Sequence, residues 1–193
     1  GSRVTVEEHH VGGDASLSCP VSEIVVGRNA VVEHAVVQDE TPTTSHLAVR
    51  QVRLDRFARY SAQSLSLGAH LARTDVGVVL DGEGAEASLD GLYLTDGSQQ
   101  ADSHLTVRHA TPNCLSHQLY KGVLGGRSRA VFTGRIVVDQ DAQRTDARQA
   151  NRNLILSEAA VANSNPQLEI FADDVRCTHG STVGRLDDDA IFY

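Results

Sequence analysis

Apolar residues gather in short runs rich in Val, Leu and Ile, and Gly, Asp, Asn or Pro separates one run from the next. Long stretches with the 3.6-residue apolar spacing of an amphipathic helix are absent. The runs at 21–26, 31–38, 46–54, 59–67, 76–80, 87–94, 104–109, 130–138 and 168–175 are therefore expected as β-strands. The segment QRTDARQANRN at 143–153 alternates more sharply. One parity carries Arg144, Asp146, Arg148 and Arg152, and the other Gln143, Thr145, Ala147, Gln149, Asn151 and Asn153. A helix would scatter these arginines around its whole surface. A strand gives one solvated charged face and one small amide and hydroxyl face able to stack into ladders.

Gly-led turns precede β-rich runs at VGRNAVVEH (26–34), LGAHLART (67–74), GEGAEASL (82–89) and GGRSRAVF (125–132), a loose family of rungs without a fixed period. Many short strands fit a sandwich, which wants clear in–out alternation and long hairpins. They also fit a parallel β-solenoid, which wants rungs of roughly 20–25 residues, glycine corners and side-chain ladders. The ladder face and the corner-like turns favour the solenoid. Aromatic residues are only 4% of the chain, so small aliphatic side chains must fill the core, which suits a narrow interior.

At 193 residues the chain is expected to be a single domain, 1–193. A net charge of −8 offers no basic footprint for nucleic acid or an anionic membrane surface, and no apolar run approaches the roughly 20 residues that span a bilayer. Three cysteines, Cys19, Cys114 and Cys177, are too few and too odd in number for a disulfide framework, which points to a reducing, cytoplasmic setting. Gly1 and Ser2 read as a cloning scar, and the apolar tripeptide at 191–193 reads as an interrupted chain, so a piece of a longer protein is expected.

Candidate chemistry concentrates in QLEIFADDVRCTHGST at 167–182. On a strand, Cys177 and His179 would face the same way about 6.5 Å apart, a thiol and an imidazole within reach of one metal ion or iron–sulfur fragment. The plain alternative is a structural Cys-x-His. Asp173 shares their parity if the strand is unbroken, but reads more simply as a solvated carboxylate. Cys114 reads as a packed small residue and Cys19 as an incidental thiol. His9 and His10, like His104 and His109, fall on opposite faces and make no metal site. Residues 82–87 match a loose GxGxxA nucleotide fingerprint, yet strand follows where that motif needs a helix, so the glycines are assigned to a corner. No Walker lysine is present. Lys121, the sole lysine, is assigned a structural place on a rung, and Asp187, Asp188 and Asp189 a solvated acidic turn.

Several long segments, taken in order, resemble the core of the SufB/SufD family of iron–sulfur cluster assembly proteins: residues 80–114, SHQLYKGVLGGRSRAVFTGRI (116–136), DAQRTDARQANRNLILS (141–157) and PQLEIFADDVRCTHGSTVGRLDDDAIFY (166–193). The ADDVRCTHGSTVG form is similar to the SufD branch. The resemblance implies an all-β chain folded as a right-handed parallel β-helix (β-solenoid), cytosolic or plastidial. It implies pairing with a SufB-type paralogue and work with a SufC-type ATPase. The cluster or its precursor would form at the interface between the paralogues, with the histidine of the CTHG-type motif contributing. That role falls on His179, with Cys177 as its neighbour. Helical regions flanking the core, including the C-terminal one that recruits the ATPase, are expected to lie outside 1–193.

These readings converge on a scaffold, not an enzyme, with no catalytic residue and no stably bound metal. A cluster or precursor would be held transiently by Cys177, His179 and the partner. In isolation the chain is expected to form a homodimer through a late rung. A plain β-solenoid interaction module without metal chemistry is the first rival. A carbohydrate-active β-helix enzyme is the second, disfavoured because the acidic residues are scattered over turns.

Overall fold

The computed structural model describes residues 1–185, and fourteen β-strands build it. One parallel sheet runs β1 (Arg3–Gly12), β4 (Val31–Glu40), β6 (Arg59–Ser66), β8 (Glu86–Thr95), β10 (Leu115–Leu124), β12 (Asp146–Ile155) and β14 (Arg176–Arg185). In the other, β2 (Leu17–Ser18) and β3 (Val21–Val26) both pair with β5 (Ser45–Leu54). It continues through β7 (Leu71–Leu80), β9 (Gln100–His109), β11 (Arg129–Val138) and β13 (Val161–Ile170). The chain alternates between the two sheets, so it winds as an all-β parallel β-helix with two flat faces. Ser45 pairs with Leu71 and Arg129 with Val161, so a turn takes 26 to 32 residues. That exceeds the expected 20–25 because each turn spends two long strands, mostly of ten residues, and two corners.

The expected strands at 21–26, 31–38, 46–54, 59–67, 87–94 and 130–138 lie within a residue or two of β3, β4, β5, β6, β8 and β11. The runs at 76–80 and 104–109 are only the apolar second halves of β7 and β9, whose first halves are polar but still alternate. β1, β10 and β14 were not expected as strands, because His, Gln, Ser and Gly dilute their apolar content. The run at 168–175 needs correction. The strand there is β13, which starts at Val161 and ends at Ile170, and the chain then turns a corner before β14. Pro166 hides the first half of this strand from a sequence reading. It is tolerated because β13 is the terminal strand of its sheet among the described residues.

The Gly-led turns are of two kinds, which is why their period is irregular. Residues 26–34 and 82–89 span corners leading into the first sheet, whereas 67–74 and 125–132 span corners leading into the second. In the first kind, left-handed residues stack turn upon turn: Asn29, Phe57, Gly84, Asn113 and Arg144 all have φ between 55° and 70°. Backbone hydrogen bonds cross this stack, from Asn29 N–H to the Arg56 carbonyl and from Asn113 N–H to the Gln143 carbonyl. The next residue turns inward and is small: Ala58, Ala85, Cys114 and Thr145 are all buried there. Cys114 thus occupies an alanine position, the packed role expected of it.

Inside, alternate residues of both sheets interleave. Val52, Val78 and Val107 form one apolar column, and Tyr120 and Phe132 pack with ring centroids 5.4 Å apart. Tyr93 and Tyr120 fit because the neighbouring rungs offer glycine. A Cβ on Gly122 would sit 2.0 Å from the Tyr93 ring, and one on Gly91 2.3 Å from the Tyr120 ring. The amide parity of β12 faces in as expected: Ala147, Gln149, Asn151 and Asn153 are buried, and Gln149 Nε2 donates to Gln118 Oε1 at 2.8 Å.

Toward the first turns the interior becomes ionic, which the sequence reading missed. Glu8 Oε1 contacts His34 Nε2 at 2.9 Å and Glu8 Oε2 contacts His10 Nε2 at 3.2 Å. His34 Nδ1 meets the Tyr60 hydroxyl at 2.9 Å. His46 Nδ1 lies 2.9 Å from Glu40 Oε2, a contact poorly aligned for a hydrogen bond. The guanidinium of buried Arg50 lies among these groups, beside an enclosed cavity of about 50 Å³. Burial, then the Arg50 charge, pushes the His34 imidazole below its usual range, and burial does the same to His46 against the pull of Glu40. Burial alone would raise Glu8 and Glu40, but charge and hydrogen-bond partners outweigh it and hold both carboxyls below their usual range. Elsewhere in the interior, burial drives His109 down to about 4.

All five folded-state values lie below the unfolded ones, so each group contributes stability that is full above its unfolded pKa and drains away as pH falls. The histidines set the top of the window. Between about pH 7 and 8 stability should be flat, and it should decline from about 6.5 downward, with His109 alone accounting for about 3 kcal/mol by pH 4. Denaturation midpoints measured across pH should show this slope. His109→Asn should remove roughly one proton's worth of it between pH 6.5 and 4; an unchanged slope in that variant would contradict the assignment.

Candidate functional site

β14 is the outermost strand of the first sheet among the described residues and is hydrogen-bonded along one side, to β12. Parallel register puts Cys177 beside Ala147 and His179 beside Gln149, so both continue the inward-facing columns of β12. They share one face, two positions apart, a rise of about 6.5 Å. Their surroundings differ. Cys177 is half-buried and packs against a small apolar cluster that includes Ile136, Val138, Ala147 and Ala172, whereas His179 is exposed. The difference follows from position along the strand, since Cys177 sits near the corner, where β13 folds back against β14.

Burial, aided by the charge of Asp146, pushes the Cys177 thiol above its ordinary range, and a backbone hydrogen bond with Ala147 only partly offsets this. The sulfur is therefore a protonated thiol near neutral pH, and a metal must displace that proton to bind it. Below His179 in the register, Gln149 Oε1 is buried without a hydrogen-bond partner among the described residues. Ser164 Oγ, on β13, is likewise unpartnered. The last turn thus holds a thiol, an imidazole and two unsatisfied polar atoms. Around them Val161, Ile170, Phe171 and Val183 are exposed.

The other candidates separate from this pair. Asp173 is exposed in the corner between β13 and β14, so the unbroken strand that would have aligned it does not exist. Cys114 is buried in its corner, its Sγ 3.5 Å from the Gly82 carbonyl, and Cys19 is exposed. His9 faces out and His10 in, and His104 and His109 divide the same way. Residues 82–85 form a corner followed by β8, not a helix. Lys121 is exposed on the outer face of β10. The acidic triplet Asp187, Asp188 and Asp189 lies outside the described residues. Among the described residues, no three His, Cys, Asp or Glu side chains converge on a point that could hold a metal ion. The buried Glu8, His34, Glu40, His46 and Arg50 group was missed because strand reading looks for apolar residues on the inward parity. The available signal was the recurrence of His34, Gln38 and Glu40 on the parity of Val32 and Val36.

Residues 1–193 match the family model described as SUF system FeS cluster assembly, SufBD core domain. The iron–sulfur cluster assembly protein SufD of Escherichia coli is 36% identical over all of this chain, which covers 46% of that protein. An iron–sulfur cluster assembly SufBD family protein of Synechocystis is 36% identical over 90% of this chain and 38% of its own length. The chloroplastic protein ABCI7 of Arabidopsis thaliana is 33% identical over the whole chain, 42% of that protein. The chain therefore spans less than half the length of these relatives.

The three thiols should react with iodoacetamide near neutral pH in the order Cys19, Cys177, Cys114. Exposed Cys19 should modify first, half-buried Cys177 clearly more slowly, and Cys114 only as the fold opens. Peptide mass spectrometry over a time course reads this order directly. Cys177 reacting as fast as Cys19 would show that its thiol is neither sheltered nor raised.

Proposed function

The chain belongs to the SufBD core family of the SUF iron–sulfur assembly system, and from that premise we propose that it is a non-catalytic scaffold of the SufD kind. Its last turn meets a SufB-type paralogue, and a nascent cluster or its precursor is held at that seam. The complex works with a SufC-type ATPase. The proposed compartment is the cytosol, with the plastid as alternative because one relative's printed name is chloroplastic. No helix among the described residues is long and apolar enough to cross a membrane.

One observation carries this reading: a thiol and an imidazole share the inward face of the strand that is outermost in its sheet among the described residues. Two donors leave a four-coordinate iron half-satisfied, so the remaining ligands must come from a partner, sulfide or both. The raised Cys177 thiol weakens its hold further, because binding releases a proton. Such a site suits cargo that is built and passed on. In this reading the edge of β14 that has no strand partner among the described residues, with the exposed apolar residues of the last turn, is the docking surface, since an unpaired strand edge recruits another strand.

Two measurements test this reading. In a reconstituted complex, His179→Ala should lower the cluster formed per complex by about tenfold or more while leaving complex assembly intact. Normal cluster formation in that variant would favour the plain interaction module. Without its paralogue, the chain should self-associate through the last turn. Light scattering after size exclusion should give a dimer, and Val183→Lys should return it to monomer. A monomer at high concentration would count against the interface.

A further inference from the structure

A second surface, on the outer face of the first sheet and reaching β12, the strand beside β14, is left unused by this scaffold role. On the outer face of the first sheet, Val37, Leu65 and Leu92 are successive register neighbours on β4, β6 and β8. Two positions along the strands, Leu94, Val123 and Leu154 continue the strip across β8, β10 and β12. Leu92 and Leu94 are 36% and 39% exposed, and with their register neighbours they form a contiguous apolar strip. Part of the strip sinks into a groove of about 330 Å³ between Val37, Leu65, Leu92 and Lys121, with Asp90 also in its lining.

Charge marks the same place. Lys121 and Arg152 are direct register partners on β10 and β12, both exposed, one strand spacing apart. Like charges facing each other across a strand pair destabilise a sheet. Neither has a carboxylate within ion-pair distance among the described residues, whereas three arginines elsewhere on the outer faces are matched, Arg59 with Glu86, Arg108 with Asp139 and Arg135 with Glu169. On a chain of net charge −8, an unmatched cation pair at the rim of an apolar groove is a complementary surface awaiting carboxylates.

We propose that this face docks an amphipathic helix of a separate protein partner, with an apolar stripe against the leucines and Glu or Asp side chains over Lys121 and Arg152. The dimensions match. From β4 to β12 the strip crosses four strand spacings, about 19 Å, the length of a helix of about 13 residues. A helix also satisfies its own backbone, as this surface requires, because the hydrogen bonds of these strands are already made within the sheet.

The test uses two synthetic peptides with the same leucine stripe, one flanked by Glu and one by Lys, titrated into the isotope-labelled chain and followed by NMR. The acidic peptide should bind, with shift changes confined to outward residues of β6, β8, β10 and β12. In the double variant Lys121→Glu and Arg152→Glu it should weaken by about tenfold while the basic peptide gains. Leu92→Ser should weaken the acidic peptide without altering thermal unfolding. Equal binding of both peptides, or of neither, overturns the proposal. So do concentration-dependent shifts at Leu92 and Leu94 without peptide, which would make a second copy of this chain the occupant.

Discussion

Parallel register is the constraint on which everything else in this molecule rests. Each strand lies beside the strand one turn earlier with its residues in step, so every side chain belongs to a column running the length of the solenoid. A column tolerates only residues that stack. Valines do so in the interior, left-handed residues at the corners, and small side chains directly after them. Where a large ring enters, the neighbouring turn must yield, and Gly91 and Gly122 yield to Tyr120 and Tyr93. These glycines are a consequence of the columns and not of any turn, and backbone flexibility would misexplain them.

Polar residues follow the same logic. The amides of Gln118 and Gln149 and those of Asn151 and Asn153 satisfy one another along and across columns, which makes a buried polar ladder affordable. The glutamine ladder still leaves Gln118 Nε2 and Gln149 Oε1 without partners among the described residues, whereas no side-chain atom of Asn151 or Asn153 is left so. Cys177 and His179 occupy the next positions of the Ala147 and Gln149 columns. In mid-solenoid these would be buried structural residues. On a terminal strand the same inward parity opens toward whatever meets the end of the helix, and a core position becomes a place for chemistry.

This explains how much could be read in advance. Apolar alternation marked the strands whose outward residues are also apolar or charged, such as β4, β5 and β11. The ladder of 143–153 correctly marked the inward face of β12. It failed where inward positions are polar or small. β10 reads SHQLYKG in its core and β14 reads CTHGSTVG, and neither announces a strand without knowledge of its neighbours. Asp173 is the solvated carboxylate expected of it, but the continuous strand that would have aligned it with Cys177 is absent, since a corner built from Ala172, Asp173 and Asp174 is invisible when the preceding apolar run reads as continuing. The pairing of Cys177 with His179 was legible because it needs only local parity. The ionic group around Arg50 was not, because Glu8, His34 and His46 meet across two sheets and two turns, a juxtaposition that only the register creates.

The two ends of the solenoid resolve the same difficulty differently. Near the first turns, the carboxylates of Glu8 and Glu40 lie against the imidazoles of His34 and His46, which burial keeps neutral until the pH falls, and this fixes the group as structure and ties it to pH. At the last turn the donors are left incomplete. Cys177 keeps its proton because burial disfavours the thiolate, and His179 stands in solvent with no carboxylate within ion-pair distance among the described residues. A site meant to hold metal permanently would invert this, lowering the thiol and fixing the imidazole through a second hydrogen bond. Partial shelter of one donor and freedom of the other fit a site whose remaining ligands arrive from outside, where the free energy of binding is shared with the act of association.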